Sequence, residues 1–221
     1  MDIKIEQAIK DAAPGMKVAA IEADVENSAT PDELWDSLTR LATDLQGVMQ
    51  LPDVNKRPGI AATRKVYKAL GKDPNRYRPS AEALCRRAVK GMDLYRIDTL
   101  VDLINLLSMM TGYSIGGFDL NKIQGTKLSL GVGQEGEPFE AIGRGQLNIA
   151  GLPVYRDEVG GIGTPTSDNE RTKLDINTTR LLMCINIYGE EVPVDETIAL
   201  TQQLLTKYAK AQNINVKIVM P

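Results

Sequence analysis

The sequence changes character at Gly112, and this change constrains the fold more than any other feature of the chain. Before Gly112, apolar residues recur at the spacing of amphipathic helices. The segments with this spacing are residues 31–50, 58–70, 79–90 and 99–111. Thr30 and Thr99 are the expected N-terminal caps of the first and the last of them. Residues 16–26 form a short run typical of a strand. The first half of the chain is therefore predicted to contain one strand and four helices.

The second half of the chain has a different pattern. Residues 113–190 are rich in glycine and in short alternating runs, which are typical of strands joined by tight turns. A last helix is predicted at residues 195–211, and the period-2 pattern of residues 214–220 predicts a final strand. This order of elements indicates an α+β fold in which helices cover one side of a mixed sheet. We expect a single compact domain, because 221 residues are enough to bury a sizeable core.

The absence of histidine limits the chemistry of the chain. It excludes Ser-His-Asp and Cys-His nucleophilic sites and an imidazole base near neutral pH. The two cysteines, Cys85 and Cys184, are too few for a closed structural zinc site, which almost always needs four ligands. We therefore expect no metal ion and no other cofactor. Acid–base chemistry would have to come from other side chains or from the substrate.

The net charge of −3 conceals a basic block. Residues 56–96 contain 12 Lys and Arg against 3 Asp and Glu, whereas the segments on both sides are acidic. One interpretation is an anion-binding face for a partner that carries phosphates. The other is a solvated helical surface whose cations pair with acidic neighbours. The cations expected to contact RNA are Arg76, Arg86, Arg87 and Lys90.

The chain shows no sign of membrane insertion or export in its sequence. No stretch of about 18 consecutive apolar residues occurs, so a transmembrane helix is not expected. The N-terminal residues alternate charged and apolar types and lack the uncharged core of a signal peptide. Together with two unpaired-looking cysteines, these features predict a cytoplasmic protein.

Three motifs resemble the B3/B4 domain, which occurs in the β subunit of bacterial phenylalanyl-tRNA synthetase and in stand-alone proteins. They are RYRPSAEAL at residues 76–84, LVDLIN at residues 100–105 and GFDLNKIQG at residues 117–125. The first motif, together with ERTK at residues 170–173, is similar to the stand-alone proteins.

The resemblance is strongest over residues 76–188. It implies one domain spanning residues 1–221, with the N-terminal helical part, residues 1–75, packed onto the rest. It also implies a three-layer β/β/α sandwich with mixed sheets and helices on one side.

The resemblance also implies an activity. In the synthetase, this domain hydrolyses the ester of tRNA that carries the wrong amino acid, by positioning water rather than by a covalent nucleophile. The family pattern has Thr, His and Glu where this chain has Ile104, Gly116 and Cys184. These replacements predict a more apolar pocket, which would bind the phenol of tyrosine poorly.

Two hypotheses of different classes follow. In the first, the protein binds tRNA or another RNA, with or without hydrolysis of a mischarged aminoacyl ester. The basic block contacts phosphates, and the aminoacyl end lies between the helix of residues 99–111 and the strand of residues 116–119. Asp119 and Arg171 orient it. A coherent positive face would favour this hypothesis.

In the second hypothesis, the protein is a non-catalytic binder of a small molecule, such as an amino acid or another carboxylate. Arg78 or Arg171 would bind the carboxylate. Convergence of these two arginines on a closed pocket would favour this hypothesis. The residues expected to contact the ligand under either hypothesis are Arg78, Asn105, Ser108, Gly116, Phe118, Asp119, Arg171 and Thr172.

Overall fold

The computed structural model of the protein describes residues 1–189 and 193–221. Glu190, the last residue of the predicted strand-rich segment, lies outside the described residues. Seven helices occur within this part of the chain: α1 (Gln7–Ala12), α2 (Asp32–Val48), α3 (Leu51–Val54), α4 (Pro58–Ala69), α5 (Ser80–Val89), α6 (Thr99–Thr111) and α7 (Val194–Ala209). None of these helices is both long enough and apolar enough to cross a membrane.

Ten strands and one short 3-10 turn complete the described residues. The strands are β1 (Asp2–Ile5), β2 (Lys17–Asp24), β3 (Ile115–Asp119), β4 (Lys127–Val132), β5 (Glu140–Ala141), β6 (Gly145–Gln146), β7 (Pro153–Arg156), β8 (Gly161–Gly163), β9 (Arg180–Ile187) and β10 (Gln212–Val219). The 3-10 turn spans Glu170–Thr172.

Most strands belong to two four-stranded sheets. The central sheet has the order β10-β2-β9-β3, and all its neighbours are antiparallel. The outer sheet has the order β1-β4-β7-β8 and is mixed, because β1 runs parallel to β4. A separate hairpin joins β5 to β6. The central sheet therefore has one edge formed by β3, and this edge borders the site described below.

Three strands of the central sheet, β2, β9 and β3, are buried on both faces, whereas the edge strand β10 is largely exposed. Met183 and Ile185 of β9 pack with apolar residues of α2, α6 and α7. Leu182 and Cys184 of the same strand pack with the outer sheet. Because successive side chains of a strand point to opposite faces, this alternation sorts the residues of the sheet into two cores. The result is a three-layer arrangement of sheet, sheet and helices, as the resemblance to the B3/B4 domain implies.

The predicted helices are confirmed, with ends that differ by at most two residues. The strand at residues 16–26 and the final strand are confirmed as β2 and β10. The sequence did not reveal β1, α1 or the short α3. The N-terminal residues also contribute a strand to each of the two sheets, because β1 pairs with β4 and β2 pairs with β9.

In α2 and α6 the residue at the N-cap position is one residue away from the predicted cap. Pro31 occupies the N-cap position of α2, and the Thr30 hydroxyl donates to Asp102 Oδ2 at 2.5 Å. Asp98, rather than Thr99, caps α6 by accepting a hydrogen bond from the Val101 amide at 3.0 Å. The Thr30–Asp102 contact thus links the start of α2 to α6 through a buried carboxyl group.

A buried ion pair joins α4 to α5. Arg64 Nη1 lies 2.8 Å from Glu82 Oε2, and both side chains are almost completely buried. The Arg64 guanidinium also donates to the Pro74 carbonyl and to Asn75 Oδ1. Since its donors are used in this way, Arg64 holds the turn between the two helices as well as the carboxylate of Glu82.

We expect Arg64→Met to lower the free energy of unfolding by about 3–5 kcal/mol, because it leaves the Glu82 carboxylate buried without its close partner. Lys56→Met is the matched control: the Lys56–Asp53 pair has the same 2.8 Å separation but is exposed. It should lose no measurable stability. Urea unfolding of both variants measures the difference, and equal losses would contradict the assignment.

Candidate functional site

A cavity of about 620 Å³ lies between α6, the edge strand β3 and the loop that leads from β8 toward β9. Helix α6 contributes Ile104, Asn105 and Ser108, and β3 contributes Ile115 and Gly117. Its position matches the groove expected between the helix of residues 99–111 and the neighbouring strand. The volume falls in the range of small-molecule sites, so the cavity can hold a small ligand or the terminal group of a larger one.

The mouth of the cavity is apolar. Ile97, Ile142 and Ile176 line it and are 58%, 40% and 54% exposed. Leu84, Val101 and Leu174 also line the cavity. Exposed aliphatic side chains gathered around one opening are typical of a surface that packs against the apolar part of a ligand.

Asp168 brings a carboxyl group to the wall of this cavity. The Gly117 amide donates to its Oδ2 at 3.3 Å. Burial raises the pKa of the Asp168 carboxyl to about 7, and the Gly117 hydrogen bond opposes this rise only in part. Among residues 1–189 and 193–221, no cationic side chain forms an ion pair with Asp168. The replacements at Ile104, Gly116 and Cys184 predict an apolar pocket, but the structure adds this carboxyl group from a different loop.

The position of Asp168 follows from the free edge of β3 and from two glycines. Gly117 lies on the edge strand, so its amide can donate away from β9. A Cβ atom at Gly163 would lie 2.7 Å from Asp168 Oδ1 and 2.5 Å from Phe118 Cζ. The loop is held by the Thr164 hydroxyl, which accepts hydrogen bonds from two amides of the turn. The carboxyl group is therefore fixed by backbone geometry and not by a side-chain partner.

A second cavity of about 540 Å³ forms a basic groove beside the first. We call it the basic groove; its cationic lining residues are Arg76, Arg78, Arg86, Arg87, Lys90 and Arg144. The groove and the cavity share part of their lining, namely Ser80, Leu84, Asn105, Arg144 and Thr166. The two spaces are therefore adjacent along this shared wall.

The basic groove keeps an excess of positive charge. Arg78 Nε and Arg86 Nη1 approach Oε1 of the buried Glu82 at 3.9 and 3.6 Å, but that carboxylate already pairs with Arg64. Lys90 makes no ion pair with any residue of the described chain. The single Glu82 carboxylate cannot neutralise the guanidinium groups of Arg64, Arg78 and Arg86. The groove therefore keeps a net positive charge that can bind anions.

An aromatic side chain that the sequence did not single out lies in the basic groove. Tyr95 is 69% exposed, and the guanidinium of Arg87 lies over its ring, 4.3 Å from the centroid. The Arg87 Nε also donates to the Asp93 carbonyl. An exposed ring held against a guanidinium group offers a flat surface on which a planar group can stack.

Seven residues predicted to contact RNA or ligand line the two spaces. Those in the basic groove are Arg76, Arg78, Arg86, Arg87 and Lys90. Asn105 lies at the shared wall, and Ser108 lines the cavity.

Gly116 and Phe118 lie between the two sheets and outside the cavity lining, although a Cβ atom at Gly116 would lie 3.6 Å from Asp168 Oδ1. A Cβ atom at Gly116 would lie 2.8 Å from Phe118 Cζ, and Phe118 is fully buried with its ring edge toward Tyr155. Cys184 pairs with Gly116 across the strands and faces the same core. Neither Gly116 nor Cys184 lines the cavity, whereas Gly117 and Ile104 do.

Asp119, Arg171 and Thr172 also lie outside the lining of both spaces. Asp119 accepts hydrogen bonds from the Thr178 hydroxyl and the Asn121 amide. The Arg171 guanidinium forms two hydrogen bonds to Asp157, at 2.8 and 2.9 Å. Thr172 is fully buried, and its hydroxyl has no partner within the described residues. Arg78 and Arg171 therefore do not converge on one pocket.

Three residues of the site were not found by sequence reasoning: Tyr95, Arg144 and Asp168. Asp168 directly precedes the polar segment of residues 169–173, which contains the predicted ligand contacts Arg171 and Thr172. Arg144 lies between two glycines in the β5–β6 turn, a position from which it reaches the shared wall. Within the described residues, no three His, Cys, Asp or Glu side chains are grouped so that they could hold a metal ion.

The raised pKa of Asp168 predicts a pH-dependent stability. Below about pH 4 the carboxyl is protonated in both states. Between that pH and about 7, the unfolded chain loses the proton while the folded protein keeps it, so stability falls as the pH rises. We therefore expect Asp168→Asn, which can still accept from Gly117, to be more stable than the wild type at pH 8. The gain should be small at pH 4.

Asp175→Asn is the control with the opposite sign. A hydrogen bond from Lys122 lowers the pKa of Asp175, so its ionised form stabilises the folded state. This variant should be less stable than the wild type from about pH 5 to 8, and the difference should disappear as the pH falls below about 4. Chemical denaturation between about pH 2 and 8 measures both trends. A stability difference for Asp168→Asn that does not change with pH would contradict the raised pKa.

A model of the B3/4 domain matches residues 62–206. A search of curated proteins finds no match. Among solved structures, the chain is similar to an N-terminal fragment of the phenylalanyl-tRNA synthetase beta-subunit from Pyrococcus horikoshii, with 13% identity and a TM-score of 0.49. The similarity covers 100% of this chain and 54% of that one, so the chain spans about half its length. Because the B3/4 domain model matches well over half of the sequence, the chain belongs to the B3/4 domain family.

Proposed function

We propose that this protein binds RNA that carries an aminoacyl group at its 3′ end, as aminoacyl-tRNA does. The observation that carries the proposal is the shared wall between the basic groove and the cavity of about 620 Å³. An RNA strand whose phosphates lie in the groove would have its 3′ terminal group beside the adjoining cavity. We further propose that residues 1–221 act as one domain in this role, in the cytoplasm.

The chemistry of the basic groove supports RNA as the partner. Its guanidinium and ammonium groups match phosphate oxygens, and their excess of charge would release counterions on binding. Tyr95, with Arg87 over its ring, offers a stacking surface for a base of a single-stranded end. Phosphate binding and base stacking beside one another are the combination found in proteins that hold single-stranded nucleic acids.

A small carboxylate ligand has less support. That alternative relies on Arg78 or Arg171 reaching a closed pocket, and the Arg171 guanidinium is occupied by Asp157. Arg78 lines the open groove and has a side chain that is 48% exposed. A carboxylate in the cavity would also meet the carboxyl of Asp168, which disfavours a second negative charge.

The first test measures RNA binding against salt concentration. We expect tRNA to be retained at low ionic strength, with an affinity that falls steeply as salt rises. The double variant Lys90→Ala, Arg144→Ala should bind more weakly and should reduce the slope of log affinity against log salt by about one unit for each removed cation.

Lys4→Ala is the matched control, because Lys4 is an exposed lysine of β1 that lines neither the groove nor the cavity. It should bind tRNA as the wild type does. Absence of salt-dependent tRNA binding in the wild type would refute the proposed function. Equal losses in the double variant and in Lys4→Ala would refute the assignment to this groove.

The proposal extends to hydrolysis of the aminoacyl ester by a positioned water molecule. Water would add to the ester carbonyl, the bond from the carbonyl carbon to the ribose oxygen would break, and that oxygen would take up a proton. The Asn105 amide and the Ser108 hydroxyl are polar groups of the cavity lining that can orient such a water.

Incubation with a panel of mischarged tRNAs tests this extension. We expect amino acid release from some members of the panel, slowed about tenfold or more in Asn105→Leu because the variant loses both polar atoms of this side chain at the shared wall. Release by Lys4→Ala should match the wild type. If tRNA binds but no amino acid is released above the spontaneous rate, the hydrolytic part of the proposal fails and the binding part stands.

A further inference from the structure

Asp168 differs from the other acidic side chains that line the cavity. Asp98 caps α6 by accepting from the Val101 amide, and Asp175 Oδ2 accepts a hydrogen bond from Lys122 Nζ at 2.5 Å. Asp168 has a single backbone donor, the Gly117 amide, at 3.3 Å. Asp98 also accepts from a single amide, but there the N-terminus of α6 stabilises its charge. Asp168 is therefore the acid of this lining, within the described residues, whose charge has neither a cation nor a helix N-terminus beside it.

We propose that the Asp168 carboxyl group binds a primary ammonium group of the ligand, the α-ammonium of an aminoacyl ester, and so selects for a free amino group. This inference rests on the proposed function and names the chemical group that the cavity recognises. An ammonium group has three donors, and the carboxylate keeps acceptor positions that Gly117 does not use.

The charges around the cavity suit a ligand with two ends of opposite sign. The basic groove and Arg144 at the shared wall face the phosphate end. Asp168 lies in the cavity, where a cation can approach it. Lys173, the other cation of the cavity lining, is paired with Glu170, so it does not compete for the carboxyl of Asp168. An aminoacyl nucleotide has this distribution of charge, since its phosphate is anionic and its α-amino group is cationic.

The state of the Asp168 carboxyl in the free protein agrees with this role. Burial without a cationic partner raises the pKa of this carboxyl to about 7. A ligand that carries a positive charge can supply the missing partner. A buried acid that is left without compensation is a common feature of binding and catalytic sites. The shape of the surrounding loop, set by Gly163 and Thr164, keeps the carboxyl in place in the absence of a ligand.

The experiment compares two ligands that cannot be hydrolysed. The probes are 5′-phosphorylated adenosine with phenylalanine joined to C3′ by an amide bond, one with a free α-amino group and one with that group acetylated. Calorimetry with the wild-type protein should show about ten- to a hundredfold tighter binding of the free amine. Asp168→Asn should lose most of this preference while it still accepts from the Gly117 amide.

Asp36→Asn is the control for a change of net charge, because Asp36 is exposed on α2 and lines neither space. It should retain the preference of the wild type. Thermal unfolding checks that Asp168→Asn is folded. Equal affinities of the two probes for the wild type, or an unchanged preference in Asp168→Asn, would overturn the inference and leave RNA binding intact. Failure to bind either probe, together with loss of salt-dependent tRNA binding, would overturn the proposed function and the inference with it.

Discussion

Burial of β2, β9 and β3 of the central sheet on both faces is the constraint on which the rest of the structure depends. A strand such as β9, buried from residue 181 to 187, must present apolar side chains in both directions. At the edge of the sheet, Gly116 and Gly117 leave both faces of β3 without side chains at two successive positions. A Cβ atom at Gly117 would lie 2.4 Å from Ile104 Cδ1, so α6 approaches β3 more closely than a larger residue would permit. The cavity borders this point of close approach, because Gly117 and Ile104 both line it.

The second constraint is the buried carboxylate of Glu82. Arg64 provides its close partner at 2.8 Å, and Arg86 and Arg78 lie farther away, at 3.6 and 3.9 Å. A buried carboxylate is costly unless it is paired, so this position stabilises the nearby guanidinium groups. It also anchors two cations at the rim of the groove without neutralising them all. A structural ion pair and a binding surface thus share one acidic residue.

The helices could be predicted from the sequence because each has one apolar face, and the strand-rich second half because its alternating runs are short. The order of the layers is implied by the resemblance to the B3/B4 domain and not by these patterns. The sequence pattern could not predict which side chains of β9 and β3 point toward the helices and which toward the outer sheet. Where both faces of a strand are apolar, the pattern does not say which set of residues meets the helices. For this reason Gly116 and Cys184 were expected in the pocket, although the structure turns them toward the outer sheet. The same strands turn Gly117 and Met183 toward the helices.

The partners of polar side chains were equally hard to predict from the sequence. Arg171 was expected to bind a ligand because it lies in a polar loop, but its partner Asp157 is 14 residues away in sequence and was not foreseeable from spacing. Thr30 was expected to cap α2, and instead its hydroxyl meets Asp102 on α6. In each case a long-range partner satisfies a group whose local surroundings suggested a different role. The basic block was easier to interpret, because charge density survives folding whatever the individual partners are.

The treatment of buried acids across the protein gives Asp168 its significance. Glu82 and Asp157 each have an arginine, Asp119 has the Thr178 hydroxyl and Lys122, and Asp102 has a hydroxyl and an amide. The fold can therefore provide partners for carboxyl groups that it buries. At Asp168 it provides one amide and places the group against a cavity that adjoins a basic groove. A carboxyl group left without a cation beside such a cavity is explained more simply by a ligand than by the fold.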